Sequence, residues 1–191
     1  VADLTSLGMT YTGNAVTGTF TATAATNETG TSNSVTIGAA AATRLVITGS
    51  ASQTAGQAQT VTVTAKDAYG NTDTTYTGDQ SLTFSGAANS SSPVTHPTVT
   101  DKDGNAVAFG SATPITFASG VATAGGSLKL YKVESATIAV TDGTISAAVS
   151  DRLTVTVSGL AASRLVVSGS GSQTAGQAQT VTIAAKDTYG N

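Results

Sequence analysis

The chain has 191 residues, a net charge of −3, 10% charged residues, 5% aromatic residues, and neither cysteine nor tryptophan. No cluster of Lys or Arg is present to hold nucleic acid or an anionic membrane surface, and disulfide, thiolate and Cys-zinc chemistry are excluded. No apolar run reaches the ~20 residues that span a bilayer, and the abundance of Val, Ile and Thr is unlike a disordered chain.

Residues 1–43 are a loose match to residues 121–163. Val1-Ala2 falls on Val121-Ala122, Tyr11 on Tyr131, and Val35-Thr36-Ile37 on Val155-Thr156-Val157. A much closer copy begins at Arg44. The stretch RLVITGSASQTAGQAQTVTVTAKDAYGN, ending at Asn71, returns without a gap as RLVVSGSGSQTAGQAQTVTIAAKDTYGN from Arg164 to Asn191. Only mild changes separate the copies, such as Ile47 against Val167 and Ala68 against Thr188. An offset of about 120 residues is the size of a domain, not of a solenoid coil. The expected division is therefore residues 1–43 as the C-terminal part of one repeat, 44–163 as a complete repeat, and 164–191 as the N-terminal part of a third. A start at Val1 without methionine and a stop at a turn signal lead us to expect further repeats on both sides.

Within 44–163 the dominant period is two. In Thr60-Val61-Thr62-Val63-Thr64 and Leu153-Thr154-Val155-Thr156-Val157, apolar and polar side chains alternate. Strands are expected near 44–49, 58–66, 72–78, 80–85, 94–100, 105–109, 113–118, 120–124, 127–133, 136–141, 145–149 and 152–158. Turn signals separate them at Asp67–Asn71, Asp101–Asn105 and Thr141–Thr144. Many short strands and no helical stripe predict an all-β, antiparallel sandwich or barrel.

The run Val61–Val63 with Lys66-Asp67-Ala68-Tyr69-Gly70-Asn71 resembles the strand-and-turn signature of bacterial immunoglobulin-like repeats, found in invasin- and intimin-type surface adhesins. Ile115–Ala122, Leu128–Lys132 and Ile138–Gly143 resemble the second half of such repeats. The resemblance implies an immunoglobulin-like sandwich of seven or more strands, exposed outside the cell. Residues 86–112 exceed a minimal repeat of this kind and are expected to form extra strands or a long hairpin.

The linkers Gly38–Thr43 and Ser158–Ser163 are short and partly apolar, unlike a flexible Gly/Ser tether. They suggest a stiff stalk, spacer or filament whose partners are neighbouring repeats or subunits. One alternative is an adhesin module that binds a receptor or glycan through its loops, 86–112 above all. A second is a subunit that polymerises by strand exchange.

No enzymatic site is expected. His96, the sole histidine, stands between Thr95 and Pro97 with no nucleophile motif beside it. Oxygen ligands at alternate positions make Asp101, Asp103 and Asn105 a calcium candidate, although the distal acid of a calcium loop is missing. Asp67 with Asn71 and Asp73 is a similar candidate at a repeat junction. Thr60, Thr62 and Thr64 read as a solvated sheet face rather than an ordered hydroxyl ladder. Asn27-Glu28-Thr29 and Asn89-Ser90-Ser91 are acceptor sequons.

Overall fold

A computed structural model describes residues 10–191. The expected match of Val1-Ala2 to Val121-Ala122 lies outside the described residues.

The described chain is all-β apart from one 3₁₀ turn, Val149–Asp151. Four short strands come first: β1 (Val16–Gly18), β2 (Thr21–Thr23), β3 (Thr29–Thr31) and β4 (Val35–Ile37). They pair as β1 with β4 and β2 with β3. Twelve strands follow: β5 (Arg44–Thr48), β6 (Ser52–Thr54), β7 (Ala58–Thr60), β8 (Thr62–Lys66), β9 (Gly78–Ser85), β10 (Thr98–Thr100), β11 (Ala106–Ala108), β12 (Ala112–Ala118), β13 (Val121–Ala124), β14 (Ser127–Lys129), β15 (Ser135–Thr141) and β16 (Leu153–Ser158). A last antiparallel pair is β17 (Arg164–Ser168) with β18 (Thr182–Lys186).

Strands β5 to β16 form two sheets, of order β5-β8-β13-β12-β9-β15-β16-β6 and β11-β10-β14-β7. Two stretches of chain serve both sheets. The run from β7 to β8 changes sheet at Val61, and the run from β13 to β14 changes at Gly125-Gly126. Both glycines have positive φ, and a Cβ on Gly125 would crowd the Ile115 side chain and the Thr100 carbonyl.

The alternation read from the sequence is the alternation of burial. In β16 Leu153, Val155 and Val157 face inward while Thr154, Thr156 and Ser158 face out. These residues join one core with Leu45, Ile47, Val63, Leu82, Phe84, Val99, Ile115, Phe117, Leu128, Leu130, Ile138 and Val140. Burying each large aliphatic or aromatic side chain contributes about 1.5–3 kcal/mol, and both sheets feed the same cluster. This is a sandwich-like arrangement of sheets. Residues 98–108 of the extra stretch form the β10–β11 hairpin, which extends the smaller sheet through β14.

Several local expectations differ from the structure, and the strands expected at 94–100 and 127–133 shrink to Thr98–Thr100 and Ser127–Lys129. Residues 72–78 are a turn region, because the Asp73 carboxylate accepts the Thr75 N–H and hydroxyl and the Asp73 carbonyl accepts the Tyr76 N–H. Residues 145–149 make only a single bridge, Thr141 with Ser146, before the 3₁₀ turn. The pairing is also not wholly antiparallel: β6, which has no apolar alternation, lies parallel to β16.

Candidate functional site: a carboxylate–carboxamide junction built twice

The turn Asp67–Asn71 closes through its own side chains. Asp67 Oδ1 accepts the N–H groups of Tyr69 at 2.9 Å and Asn71 at 2.8 Å, and Oδ2 accepts Asn71 Nδ2 at 2.9 Å. Gly70 has φ of +89°, the conformation this closure requires. Two contacts then reach out of the turn. Asp67 Oδ2 accepts the N–H of Ala40 at 3.0 Å, in the preceding linker. The Asn71 carboxamide donates to the Gly13 carbonyl at 3.1 Å and accepts the Ala15 N–H at 2.8 Å. Asn71 thus pairs with an extended backbone much as a neighbouring strand does. The linker is held at two more points: Ala42 N–H donates to Asp73 Oδ2 at 2.8 Å, and Thr43 N–H to the Lys66 carbonyl at 2.8 Å.

The same construction recurs at Asp187–Asn191. Asp187 accepts from Tyr189 N–H (2.9 Å), Asn191 N–H (3.0 Å), Asn191 Nδ2 (2.9 Å) and Leu160 N–H (3.1 Å). The Asn191 carboxamide donates to the Tyr131 carbonyl at 3.0 Å and accepts the Val133 N–H at 2.8 Å. Ser163 N–H donates to the Lys186 carbonyl at 2.8 Å, as Thr43 does to Lys66. The sequence match pairs Tyr11 with Tyr131, but the hydrogen bonds put Gly13 in the place of Tyr131. The β1–β4 register agrees: Gly18 stands opposite Val35 as Ala136 stands opposite Val155.

Asp67 and Asp187 are wholly covered or nearly so, at 0% and 2% exposure. Burial pushes their carboxyls up, but the hydrogen bonds from the asparagine side chain and from backbone N–H groups outweigh it and hold each down to about 2.

The second junction is reinforced by the extra stretch. Ser90–Thr95 is a tight loop: Ser90 Oγ donates to the Pro93 carbonyl at 2.7 Å and accepts the Thr95 N–H at 3.0 Å. Its tip meets the next turn. Ser92 N–H donates to the Tyr189 carbonyl at 3.3 Å, Ser91 Oγ to the Gly190 carbonyl at 3.4 Å, and Arg164 Nη2 to the Ser92 carbonyl at 2.6 Å. The base of the loop is tied down by Ala88 N–H to Glu134 Oε1 at 2.7 Å. Tyr189 stacks edge-on against Tyr131 with centroids 5.1 Å apart, and its hydroxyl end lies where a Cβ on Gly56 would be. Loop 86–97 therefore packs on a neighbouring turn, which its composition did not announce.

Asp101, Asp103 and Asn105 sit in a third turn of the same D-x-x-G-N pattern. Asp101 Oδ1 accepts the N–H groups of Asp103 at 3.0 Å and Asn105 at 2.8 Å, and Oδ2 accepts Asn105 Nδ2 at 3.2 Å. The Asp101 carboxylate thus closes the turn, and Asn105 turns its amide nitrogen toward it. Lys102 neutralises the outer face, 3.1 Å from Asp79 and 3.9 Å from Asp103. In the second calcium candidate, Asp67 and Asp73 each accept backbone N–H groups. Among the described residues no group of three or more His, Asp or Glu side chains is placed to share an ion.

The remaining sequence candidates are dispersed. His96 is exposed on loop 86–97. Thr60 belongs to β7 and Thr62 and Thr64 to β8, so the row is split between two sheets. Asn27 and Asn89 are exposed, while the hydroxyl of Ser91, the third residue of the second sequon, donates to the Gly190 carbonyl. No family model matches the chain, and no curated protein matches it.

Proposed function

We infer that the chain is a stretch of an immunoglobulin-like tandem array that serves as a stiff stalk, spacer or filament outside a bacterial cell. The observation that carries this reading is the junction built twice, at Asp67–Asn71 and at Asp187–Asn191, with matching bonds inside the turn, to the preceding segment and to two linker N–H groups each. A flexible tether leaves linker N–H groups to water. Here Ala40, Ala42, Thr43, Leu160 and Ser163 all donate to the segment that follows.

Exposure supports further units in the array. Leu165, Val167 and Ile183 are 62–69% exposed, whereas their sequence counterparts Leu45, Ile47 and Val63 are at most 4% exposed. Contiguous apolar surface of this kind calls for a covering partner. Occupation of the 90–93 tip favours the spacer over an adhesin that binds through this loop.

Small-angle scattering of the chain and of Asn71→Ala/Asn191→Ala tests the stiffness. A stalk predicts a narrow set of shapes that broadens in the double variant, and equally broad profiles for both sink the reading. Antibody labelling of intact producing cells tests the location; label that enters only after lysis overturns it.

A further inference from the structure

Tyr69 and Tyr189 hold the same place in two copies of one turn, yet their surroundings differ. Tyr69 is 52% exposed, whereas Tyr189 packs against the main core. A Cβ on Gly56 would lie 2.8 Å from two carbons of the Tyr189 ring, so the phenol end rests directly on the Gly56 backbone. Any side chain at position 56 would push the ring away.

The seat has three sides, drawn from stretches far apart in sequence. Gly56 N–H donates to the Leu130 carbonyl at 2.7 Å, which sets the glycine beside Tyr131. The Tyr131 ring meets Tyr189 edge-on, the orientation that the charge distribution of two aromatic rings favours. Ser92 closes the third side by donating its N–H to the Tyr189 carbonyl. The glycine turn itself recurs. Gln57 N–H donates to the Thr54 carbonyl at 3.0 Å and Gln177 N–H to the Thr174 carbonyl at 3.0 Å, with φ of +75° at Gly56 and +80° at Gly176. A Cβ on Gly176 would meet nothing within 4 Å. Each copy of the repeated stretch thus carries both halves of the contact, and the filled contact joins the glycine of one copy to the tyrosine of the next.

We propose that Gly56, Tyr131 and Ser92 form a socket that recognises the following repeat by the tyrosine of its turn and fixes the angle at which that repeat stands, a role that rests on the array reading for its biological use. Bonds to the linker alone would leave a hinge. A ring held against three separate stretches of the preceding unit leaves one direction. The partner that fits is therefore an Asp-x-Tyr-Gly-Asn turn of another copy of the repeat, selected by a hole that only glycine leaves open.

Spin-label distance measurements test the socket on the full chain, in which introduced thiols are unique because there is no native cysteine. Labels at Ser81→Cys and Ser168→Cys, exposed positions on β9 and β17, report the angle between the two units as a distance distribution. A seated tyrosine predicts one narrow peak. Gly56→Ala should abolish that peak in favour of a broad distribution. Gly176→Ala carries the same positive-φ strain but displaces nothing, so it should keep the peak. Tyr189→Ala should lose the peak and Tyr189→Phe should retain it, because the ring fills the seat. A narrow peak that survives Tyr189→Ala overturns the socket, as does equal broadening in Gly56→Ala and Gly176→Ala. If Gly56→Ala does not fold, Tyr189→Ala, at a half-buried position outside both sheets, still decides. All are read on purified chain, so a failure of surface labelling sinks the stalk and leaves the socket, while an unmoved peak does the reverse.

Discussion

Asn191 Nδ2 donates to the Tyr131 carbonyl at 3.0 Å, and Asn71 makes the matching bond to the Gly13 carbonyl at 3.1 Å. Each asparagine also donates to its own turn aspartate, so one amide group both closes the turn and grips the preceding segment. Asn191→Ala should lose the outward pair at a cost of about 1–3 kcal/mol in junction stability. Asn191→Asp should be worse, because it sets a second carboxylate against Asp187. Hydrogen exchange at Val133 checks both: its N–H should lose protection in either variant, while Val140 in the core stays protected.

Acid should loosen the junctions at a definite point. Asp67 and Asp187 have folded values of about 2, below the ordinary 3.8. A lowered folded value stabilises the ionised form, so the contribution is complete above 3.8 and fades as pH falls from there through about 2. Other aspartates are also held below the ordinary carboxylate value, Asp73 by the Thr75 hydroxyl and backbone N–H groups and Asp142, against its burial, by backbone N–H groups and the Tyr76 hydroxyl. The informative quantity is therefore the difference between wild type and Asp67→Asn/Asp187→Asn. In denaturant unfolding followed against pH, that difference should be largest above pH 3.8 and shrink toward about pH 2. A constant difference across this range contradicts the assignment.

Much of the fold was legible because alternation and burial are the same signal in a sheet. Leu153, Val155 and Val157 face inward as their spacing requires, and the strands around Val63, Phe84, Ile115 and Ile138 lie where the pattern puts them. The misses have physical causes. Residues 72–78 look like a strand, but the Asp73 side chain closes a local turn that alternation does not register. Strand β6 is polar, and its place is set by a partner about a hundred residues away. The junction was legible in part: the repeated D-x-Y-G-N and the short linkers marked it, but no sequence pattern tells that Asn71 reaches Gly13 or that Ser92 meets Tyr189. The calcium candidate at Asp101 shares that turn pattern, and its carboxylate closes the turn as Asp67 and Asp187 do.

The two turn glycines separate local strain from docking. Gly70 and Gly190 have φ of +89° and +85°. A Cβ at Gly70 would find its nearest neighbour 3.7 Å away at Arg44 Nη2, but at Gly190 it would lie 2.8 Å from the Ser92 carbonyl oxygen. Gly70→Ala should therefore cost only the left-handed backbone term, about 1–2 kcal/mol. Gly190→Ala should cost that and also expel loop 90–93 from the turn. Calorimetry of both variants, with exchange at the Ser92 N–H, checks this; equal losses with Ser92 still protected would show that the loop contact is incidental.

The Asp101–Asn105 turn should be indifferent to calcium. Its aspartate accepts from Asp103 N–H, Asn105 N–H and Asn105 Nδ2, so a cation competes with bonds already made. Titration with calcium or addition of a chelator should leave Tm unchanged in wild type. Asp101→Ala should remove the closure at a cost of about 1 kcal/mol, confined to the β10–β11 hairpin because its side-chain bonds all stay within the turn. A calcium-dependent rise in Tm that Asp101→Ala abolishes would show that the turn opens to take an ion as ligand in place of its own backbone.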